Sequence, residues 1–379
     1  MSVAIVDGRG WQNAFDLKTG EKAEAAGPVV EMVRGVLQRH AYPGDMDPQS
    51  NRWVSDTALD LMDHYHPRFV FLTYAAQYYA GRYTVMTKEA RGGMIADAFR
   101  EAERFVQRSG VAAIVVGTGD MTQFLGAIDV TGLDGLAICT HWSTRYAGLH
   151  EPSPADMQFL REHPHIEKII PRNEVVGLFG GTAKQALRTP EHLMLARKGY
   201  AFKTITDTKK TPVMIPSINF SVPLYAPGRA VSDITGIRQA VEEELLRNNV
   251  ALIVMEGVGR EDFPWPHTPC ANSAKWYYYE PGSAQYLTIT SGEHRFFDYP
   301  AGYKYYEELH ETNDYPFSGY FKSVPSGTLG GAFPGKSIAV GNRSMFMHMV
   351  AGADIAVECF ARNLYNQGTM AVIHRDDKL

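Results

Sequence analysis

The chain has 379 residues, 45% hydrophobic and 21% charged, with 37 Lys and Arg against 42 Asp and Glu. This ordinary globular composition excludes intrinsic disorder and fibrous classes. A formal charge of −5 gives no electrostatic basis for a nucleic-acid partner, because phosphate binding uses clustered Lys and Arg.

The elements read in order along the chain as short apolar runs alternating with amphipathic helices. VAIV (3–6) is a strand, followed by a helix near 28–40 and a second helix in SDTALDLMDHY that leads into the strand FVFLTY (69–74). Over 88–108, Ile95, Ala98, Phe99, Ala102, Phe105 and Val106 recur at helical spacing and give one buried face. AAIVVG (112–117) and GLAICT (135–140) are near-continuous apolar runs, as parallel strands covered on both faces require. Ser153-Pro154 and Thr189-Pro190 each put a capping hydroxyl before a proline and predict helix starts. Ser232-Asp233 opens a helix that feeds ALIVMEG (251–257), and a last helix from about Gly352 to Asn366 precedes the strand TMAVIH.

The fold class expected is α/β, a largely parallel sheet with helices on both faces and right-handed crossovers. The α/β core spans 1–261 and resumes over 336–379. The Tyr-, Pro- and Gly-rich stretch 262–335 reads as an irregular insertion or lid. Residues 108–124 and 247–263 align without gaps, sharing Arg108/Arg247, Val111/Val250, Ala112/Ala251, Ile114/Ile253, Val115/Val254 and Phe124/Phe263. A duplicated half-domain is one reading. The common use of Val, Ala and Ile in any helix–turn–strand unit is the other.

Cys139, Cys270 and Cys359 are far apart and odd in number, which suits a reducing cytoplasm better than a disulfide framework. MSVAIVDGRG carries no basic region or cleavage site, and FVFLTYAAQYYAG falls short of the ~18 apolar residues of a membrane helix. The expectation is a cytoplasmic protein with a small-molecule substrate and no membrane partner. A homodimer is compatible with the size, although no surface in the sequence marks one.

Ligands of an open parallel sheet bind beyond the carboxyl ends of its strands, which turns the strand list into a site list. Asp7 follows VAIV, Thr73 and Tyr74 end FVFLTY, Asp120 lies past AAIVVG and His141 follows GLAICT. Glu256 ends ALIVM, and Asn342 and Arg343 follow SIAVG. Asp7, Asp120, His141 and Glu256 form a candidate metal or acid–base cluster, with His267 in FPWPHTPC within reach of the same crevice. Aspartates at strand ends also cap turns, and a histidine beside Trp142 also packs as a core residue.

GGAFPGKS (330–337) matches a phosphate-loop spacing, but Pro334 removes an amide and SIAVG reads as a strand where a helix is required. A glycine-rich loop presenting Lys336 to an anion is the reading kept. Cys270 has no neighbour in sequence that would lower its pKa and suit it as a nucleophile. The cluster Asp63-His64-Tyr65-His66 reads as a helix end beside its dipole.

The stretch NRWVSDTALDLMDHYHPRFVFLTYAAQYYAGRY, a helix and then AAIVVGTGDM resemble the alkaline phosphatase superfamily, in particular its type I phosphodiesterase/nucleotide pyrophosphatase branch, over roughly residues 1–125. The resemblance implies metal-dependent hydrolysis of a phosphate ester or diester, with zinc, manganese or iron. Asp7 matches the aspartate that ends the family's first strand. Tyr78 and Arg82 stand where the family has Asp-x-x-x-His, Gly119-Asp120 stands where it has Asp-His, and the segment that presents the family's Ser or Thr nucleophile is shortened, with Ser50, Ser55 and Thr57 as poor substitutes.

The function expected is hydrolysis of a small phosphorylated or otherwise anionic metabolite at a rebuilt metal site. Asp7 and Asp120 would be metal ligands, and His141, Glu256 and His267 would complete the shell or act as base. Lys336, Arg343, Tyr78 and Arg82 would hold the substrate. Two alternatives stand beside it. One is a metal-free hydrolase or lyase for a small aromatic or carbonyl compound using His, Tyr and Arg. The other is a catalytically silent small-molecule-binding protein on the same scaffold.

Overall fold

The structure, a computed structural model, describes residues 2–7, 13–16, 27–139, 145–180, 183–187, 189–203, 211–280, 282–294, 329–332, 335–342, 351–358 and 369–373. The first third contains β1 (Ser2–Asp7), β2 (Asn13–Asp16), α1 (Pro28–Arg39), α2 (Gln49–Tyr65), β3 (Phe69–Tyr74), α3 (Ala76–Tyr83), α4 (Lys88–Ser109) and β4 (Ala112–Gly117). The middle holds β5 (Met121–Gln123), β6 (Gly126–Ile128), β7 (Leu136–Cys139), β8 (Tyr146–His150), α5 (Pro154–Glu162), β9 (Ile166–Pro171), α6 (Arg172–Phe179), α7 (Ala183–Ala186), β10 (His192–Ala196), β11 (Tyr200–Phe202) and β12 (Met214–Pro216). There follow β13 (Ser221–Tyr225), α8 (Gly236–Leu245), β14 (Val250–Met255), β15 (Thr268–Ala271), β16 (Ser273–Ala274), β17 (Tyr277–Tyr278) and α9 (Ser283–Ser291). The last elements are α10 (Leu329–Ala332), β18 (Ser337–Gly341), β19 (Ile355–Glu358) and β20 (Thr369–Ile373).

Ten strands form one sheet in the order β15-β13-β4-β14-β3-β18-β19-β1-β20-β2. The six from β4 to β1 run parallel. β13 and β20 lie antiparallel beside them, so the sheet is mixed but mostly parallel. β3 and β14 are buried along their whole length, which explains their unbroken apolar sequences. Val70, Leu72, Val115 and Ile253 face α1, α2 and α4 through Val33, Val54, Ala58, Phe99 and Phe105. Phe69, Phe71, Ile114, Val116, Leu252 and Val254 face α8 and α9 through Ile237, Val241 and Tyr286 on the other side. α4 starts on a Thr87 side chain accepting from the Ala90 amide at 3.2 Å and stops at Gly110 with φ 67°.

Between β4 and β13 the chain builds a second, antiparallel sheet, β7-β8-β10-β9, around Leu149, Leu160, Met194 and Phe202. GLAICT belongs there as the edge strand β7 rather than in the parallel sheet. Leu136 and Ile138 are 63% and 45% exposed, so the apolar run has only one covered face. Ser153 does open a helix, through a complete capping box with Asp156. Thr189-Pro190 instead leads into β10.

The helix expected from Gly352 to Asn366 is replaced over Ile355–Glu358 by β19, whose three apolar residues are too few for their period to tell helix from strand. Residues 359–368 lie outside the described residues. Of the stretch 262–335, the described part to His294 supplies the sheet-edge strand β15, the β16–β17 pair and the core helix α9. The two halves of the sequence echo become the neighbouring strands β4 and β14, but α4 and α8 pack on opposite faces. That arrangement fits shared helix–turn–strand chemistry and not a repeated unit.

Candidate functional site

The crossover from β3 to β4 runs through α4 on one face of the sheet, whereas β14 is entered from α8 on the opposite face. Ligands of such a sheet bind at the carboxyl ends of its strands, and the residues that follow β4 and β14 define the candidate crevice. The Glu256 amide donates to the Tyr74 carbonyl at 3.0 Å, and Gln77 Nε2 donates to the carbonyls of Tyr74 and Glu256 at 2.7 and 2.9 Å, which staples the two strand ends together. Asn342, after β18, accepts from the Ala75 amide at 2.8 Å and donates to Ser50 Oγ and Asn51 Oδ1, both at 2.8 Å. Asn342 is therefore a fully engaged strut that fixes the β3–α3 turn.

Glu256 is completely buried. The Tyr286 hydroxyl donates to its Oε1 and Thr118 Oγ1 donates to its Oε2 at 3.4 Å. Thr118 in turn accepts from the Gly257 amide at 2.9 Å, so it clamps the β4 and β14 loops to each other.

Asp120 lies over these loops and is half-buried. Its backbone is held from both sides by Asn219, which accepts from the Asp120 amide at 3.0 Å and donates to its carbonyl at 3.2 Å. Gly119 permits this at φ 113°, and a Cβ there would fall 2.6 Å from the Asn219 side chain. The Asp120 carboxylate occupies the space of the side chain that Gly259 lacks, since a Cβ on Gly259 would stand 1.6 Å from Oδ1. No described residue donates a hydrogen bond to that carboxylate. Burial raises its pKa from the ordinary carboxyl value, and the Asp262 and Glu261 charges add to the rise while Arg91 and Lys198 oppose it. Arg91 itself is engaged, bonding Asp262 Oδ2 at 2.5 Å and the Gly257 carbonyl at 2.7 Å.

The other expected site residues fall elsewhere. His141 and Arg343 lie outside the described residues. Asp7 ends β1 in register with Glu358. Four strand intervals separate β1 from β14, which at ~4.8 Å each is about 19 Å, too far for Asp7 and Glu256 to share an ion. His267 sits at the outer edge, its Nδ1 2.9 Å from the Trp265 carbonyl and its ring edge-on to Phe263. Lys336 precedes β18, at the amino end of the sheet, with its ammonium 4.8 Å from the centre of the Tyr65 ring.

Tyr78 and Arg82 are buried on α3, where Arg82 Nη1 donates to the Tyr78 hydroxyl at 3.3 Å. A Cβ on Gly257 would lie 3.3 Å from the Tyr78 ring, so Tyr78 borders the same loops. Cys270 is fully buried, and desolvation with the nearby Asp233 pushes its thiol up to about 12, which removes it as a nucleophile.

Among the described residues, no three His, Cys, Asp or Glu side chains converge on a point. With Glu256 engaged by two hydroxyls and Asp7 far off, these residues do not fit the two-metal centre implied by the resemblance. Sequence reasoning missed Thr118, Gln285, Tyr286 and Asn219. Tyr286 and Gln285 lie within the Tyr-, Pro- and Gly-rich stretch 262–335, whose composition gives no helical signal. The pair Gly257 and Gly259 directly after a buried strand was the available signal for a crowded crevice.

No family model matches the chain, and no curated protein does. Among solved structures the chain is similar to crystal structures of phosphonoacetate hydrolase from Sinorhizobium meliloti 1021 in complex with phosphonoformate and with phosphonoacetate. The identities are 13% and 11%, the TM-score is 0.32 for both, and 45% of this chain matches 47% and 48% of those chains. The chain thus spans about half the length of these neighbours, and a likeness of this size carries no residue roles. No helix among the described residues is long and apolar enough to cross a membrane.

Proposed function

We propose that the chain is a hydrolase of a small metabolite, working in the crevice over β4 and β14 with Asp120 as general base. The observation that carries this reading is a half-buried carboxylate at a strand end to which no described residue donates a hydrogen bond, seated in a space that Gly259 leaves open. Such a group is costly to keep in a fold, and a carboxyl with a raised pKa is a stronger base than a free one. In the reaction, the Asp120 carboxylate removes a proton from the attacking water. The water oxygen bonds to the ester carbon or phosphorus, the bond to the leaving group breaks, and Asp120 returns the proton to the departing oxygen. Glu256, Thr118 and Tyr286 lock the loops that carry Asp120 and position it. The acidic neighbours Asp262 and Glu261 favour a substrate that is uncharged where it meets Asp120.

The test is turnover of p-nitrophenyl acetate, p-nitrophenyl phosphate and bis-p-nitrophenyl phosphate, with chelator and with added zinc or manganese, alongside elemental mass spectrometry of the purified protein. The proposal expects ester cleavage that persists in chelator. Cleavage only of the phosphates and only with metal would instead favour the metal-assisted version, with Asp7, His141 and Arg343 in play. A second reading, a silent binding protein, draws on the complete burial and double engagement of Glu256. It expects ligand-induced thermal stabilisation without product.

A further inference from the structure

Gln285, on the first turn of α9, is completely buried. Its Nε2 donates to the Thr118 carbonyl at 3.2 Å and to Asn272 Oδ1 at 3.2 Å. Which end of the amide is nitrogen is settled by the network itself. Asn272 uses its own Nδ2 to donate to the carbonyls of Asn219 and Tyr279, at 3.0 and 2.8 Å, so its Oδ1 must accept from Gln285. The Thr118 carbonyl is likewise only an acceptor. Turning the Gln285 amide over would set oxygen against oxygen at both contacts.

The remaining atom, Gln285 Oε1, is therefore an acceptor, and among the described residues it has no hydrogen-bond partner. A buried amide oxygen without a donor is rare in a folded protein and is a seat for a donor on a bound ligand. Its hydrogen bonds tie it to the loops that border the crevice. Gln285 is bonded to the Thr118 backbone, whose side chain reaches Glu256. Asn272 connects it to the Asn219 backbone, and the Asn219 side chain grips Asp120. One chain of amides thus links the unmet acceptor to the unmet carboxylate.

We propose that Gln285 Oε1 is a specificity-determining acceptor, reading an N–H or O–H donor on a small uncharged ligand bound in the crevice over β4 and β14. This inference rests on the reading of that crevice as the ligand site. It does not require that the bound ligand be hydrolysed. A ligand carrying the donor fills the acceptor, whereas its alkylated analogue leaves the oxygen buried and empty. Discrimination against the analogue lacking the donor is expected to be at least about tenfold, the usual penalty for stranding a buried polar group. A carboxylate ligand adds repulsion from Asp120, Glu261 and Asp262.

The experiment measures saturation-transfer NMR binding of benzamide, N,N-dimethylbenzamide and benzoate to the full chain and to Gln285→Met. Benzamide and its dimethyl analogue share ring and carbonyl and differ in the N–H donors. The expected result on wild type is benzamide binding about tenfold or more tighter than dimethylbenzamide, with benzoate weakest. In Gln285→Met the preference disappears. Equal binding of the two amides to wild type overturns the inference, and this comparison stands even if the variant fails to fold. So does an ordered water on Oε1 that stays in place in a crystal structure with benzamide bound. Failure of all three probes to bind also overturns it. The hydrolase reading is judged separately by turnover, so a donor preference without any ester cleavage would sink that reading and leave this one standing.

Discussion

The seat of Asp120 over Gly259 can be probed by adding a single methyl group. In Gly259→Ala the new Cβ would stand 1.6 Å from Asp120 Oδ1, 2.0 Å from its Cγ and 2.5 Å from its Oδ2. All three nearest atoms belong to one side chain, and Gly259 is not among the glycines with positive φ, so the backbone itself accepts alanine. Ordinary contact is about 3.5 Å, so the carboxylate must swing by roughly 2 Å. Displacing a packed side chain in this way costs ~1–3 kcal/mol.

The cost depends on Asp120 being present. In an Asp120→Ala background the same methyl group has room, and its cost should fall below about 0.5 kcal/mol. Urea unfolding of wild type, both single variants and the double variant measures the coupling, expected at ~1–2 kcal/mol. Since the displaced group is the proposed base, Gly259→Ala should also lower kcat by about 10²–10⁴-fold. Additive stabilities, within about 0.3–0.5 kcal/mol, would refute the geometry from which the role of Asp120 is argued.

Other consequences can be checked with the same material. The folded-state pKa of Asp120 is raised, so its ionised form destabilises the fold, and stability falls as pH climbs from the unfolded carboxyl pKa through the folded one. Asp120→Asn should therefore be more stable than wild type at pH 7 and show no advantage at or below about pH 4, where the unfolded carboxyl also protonates; a gap that does not change with pH would contradict this. Asn342→Ala strands the Ala75 amide and removes the bonds to Ser50 and Asn51, so urea melts should show a loss of ~2–4 kcal/mol, and a loss under about 0.5 kcal/mol would be inconsistent with the strut. Cys270, buried and with its thiol pushed up to about 12, should resist iodoacetamide at pH 8 in the folded protein and react on unfolding, as read by peptide mass spectrometry.

Much of the architecture was legible where burial leaves an unbroken signature. FVFLTY and ALIVM became β3 and β14 at the centre of the sheet because two covered faces demand apolar residues at every position. The helical spacing from Ile95 to Phe105 likewise became the buried face of α4. The same signal misled at GLAICT, since an edge strand can carry apolar residues on an exposed face without any break in the run. It also misled near Ile355, where four residues cannot establish a period.

The site was legible only in part. The rule that strand ends line the crevice located Asp120 and Glu256, but strand order is set by tertiary pairing and cannot be read from a list of strands. Asp7 therefore looked like a partner of Asp120 although their strands are five intervals apart. Lys336 looked like an anion ligand although it lies at the opposite end of β18. Tyr286 and Gln285 were invisible because α9 is buried nearly all round and mixes polar with apolar residues, so no apolar face gives a helical rhythm.

The most direct test of the central claim is p-nitrophenyl acetate turnover in chelator for wild type and Asp120→Asn, with folding of both confirmed by urea melts. The account predicts measurable wild-type turnover and a loss of about 10²–10⁴-fold in kcat for the variant. Undiminished turnover in Asp120→Asn, or no turnover of any ester by wild type, would contradict it.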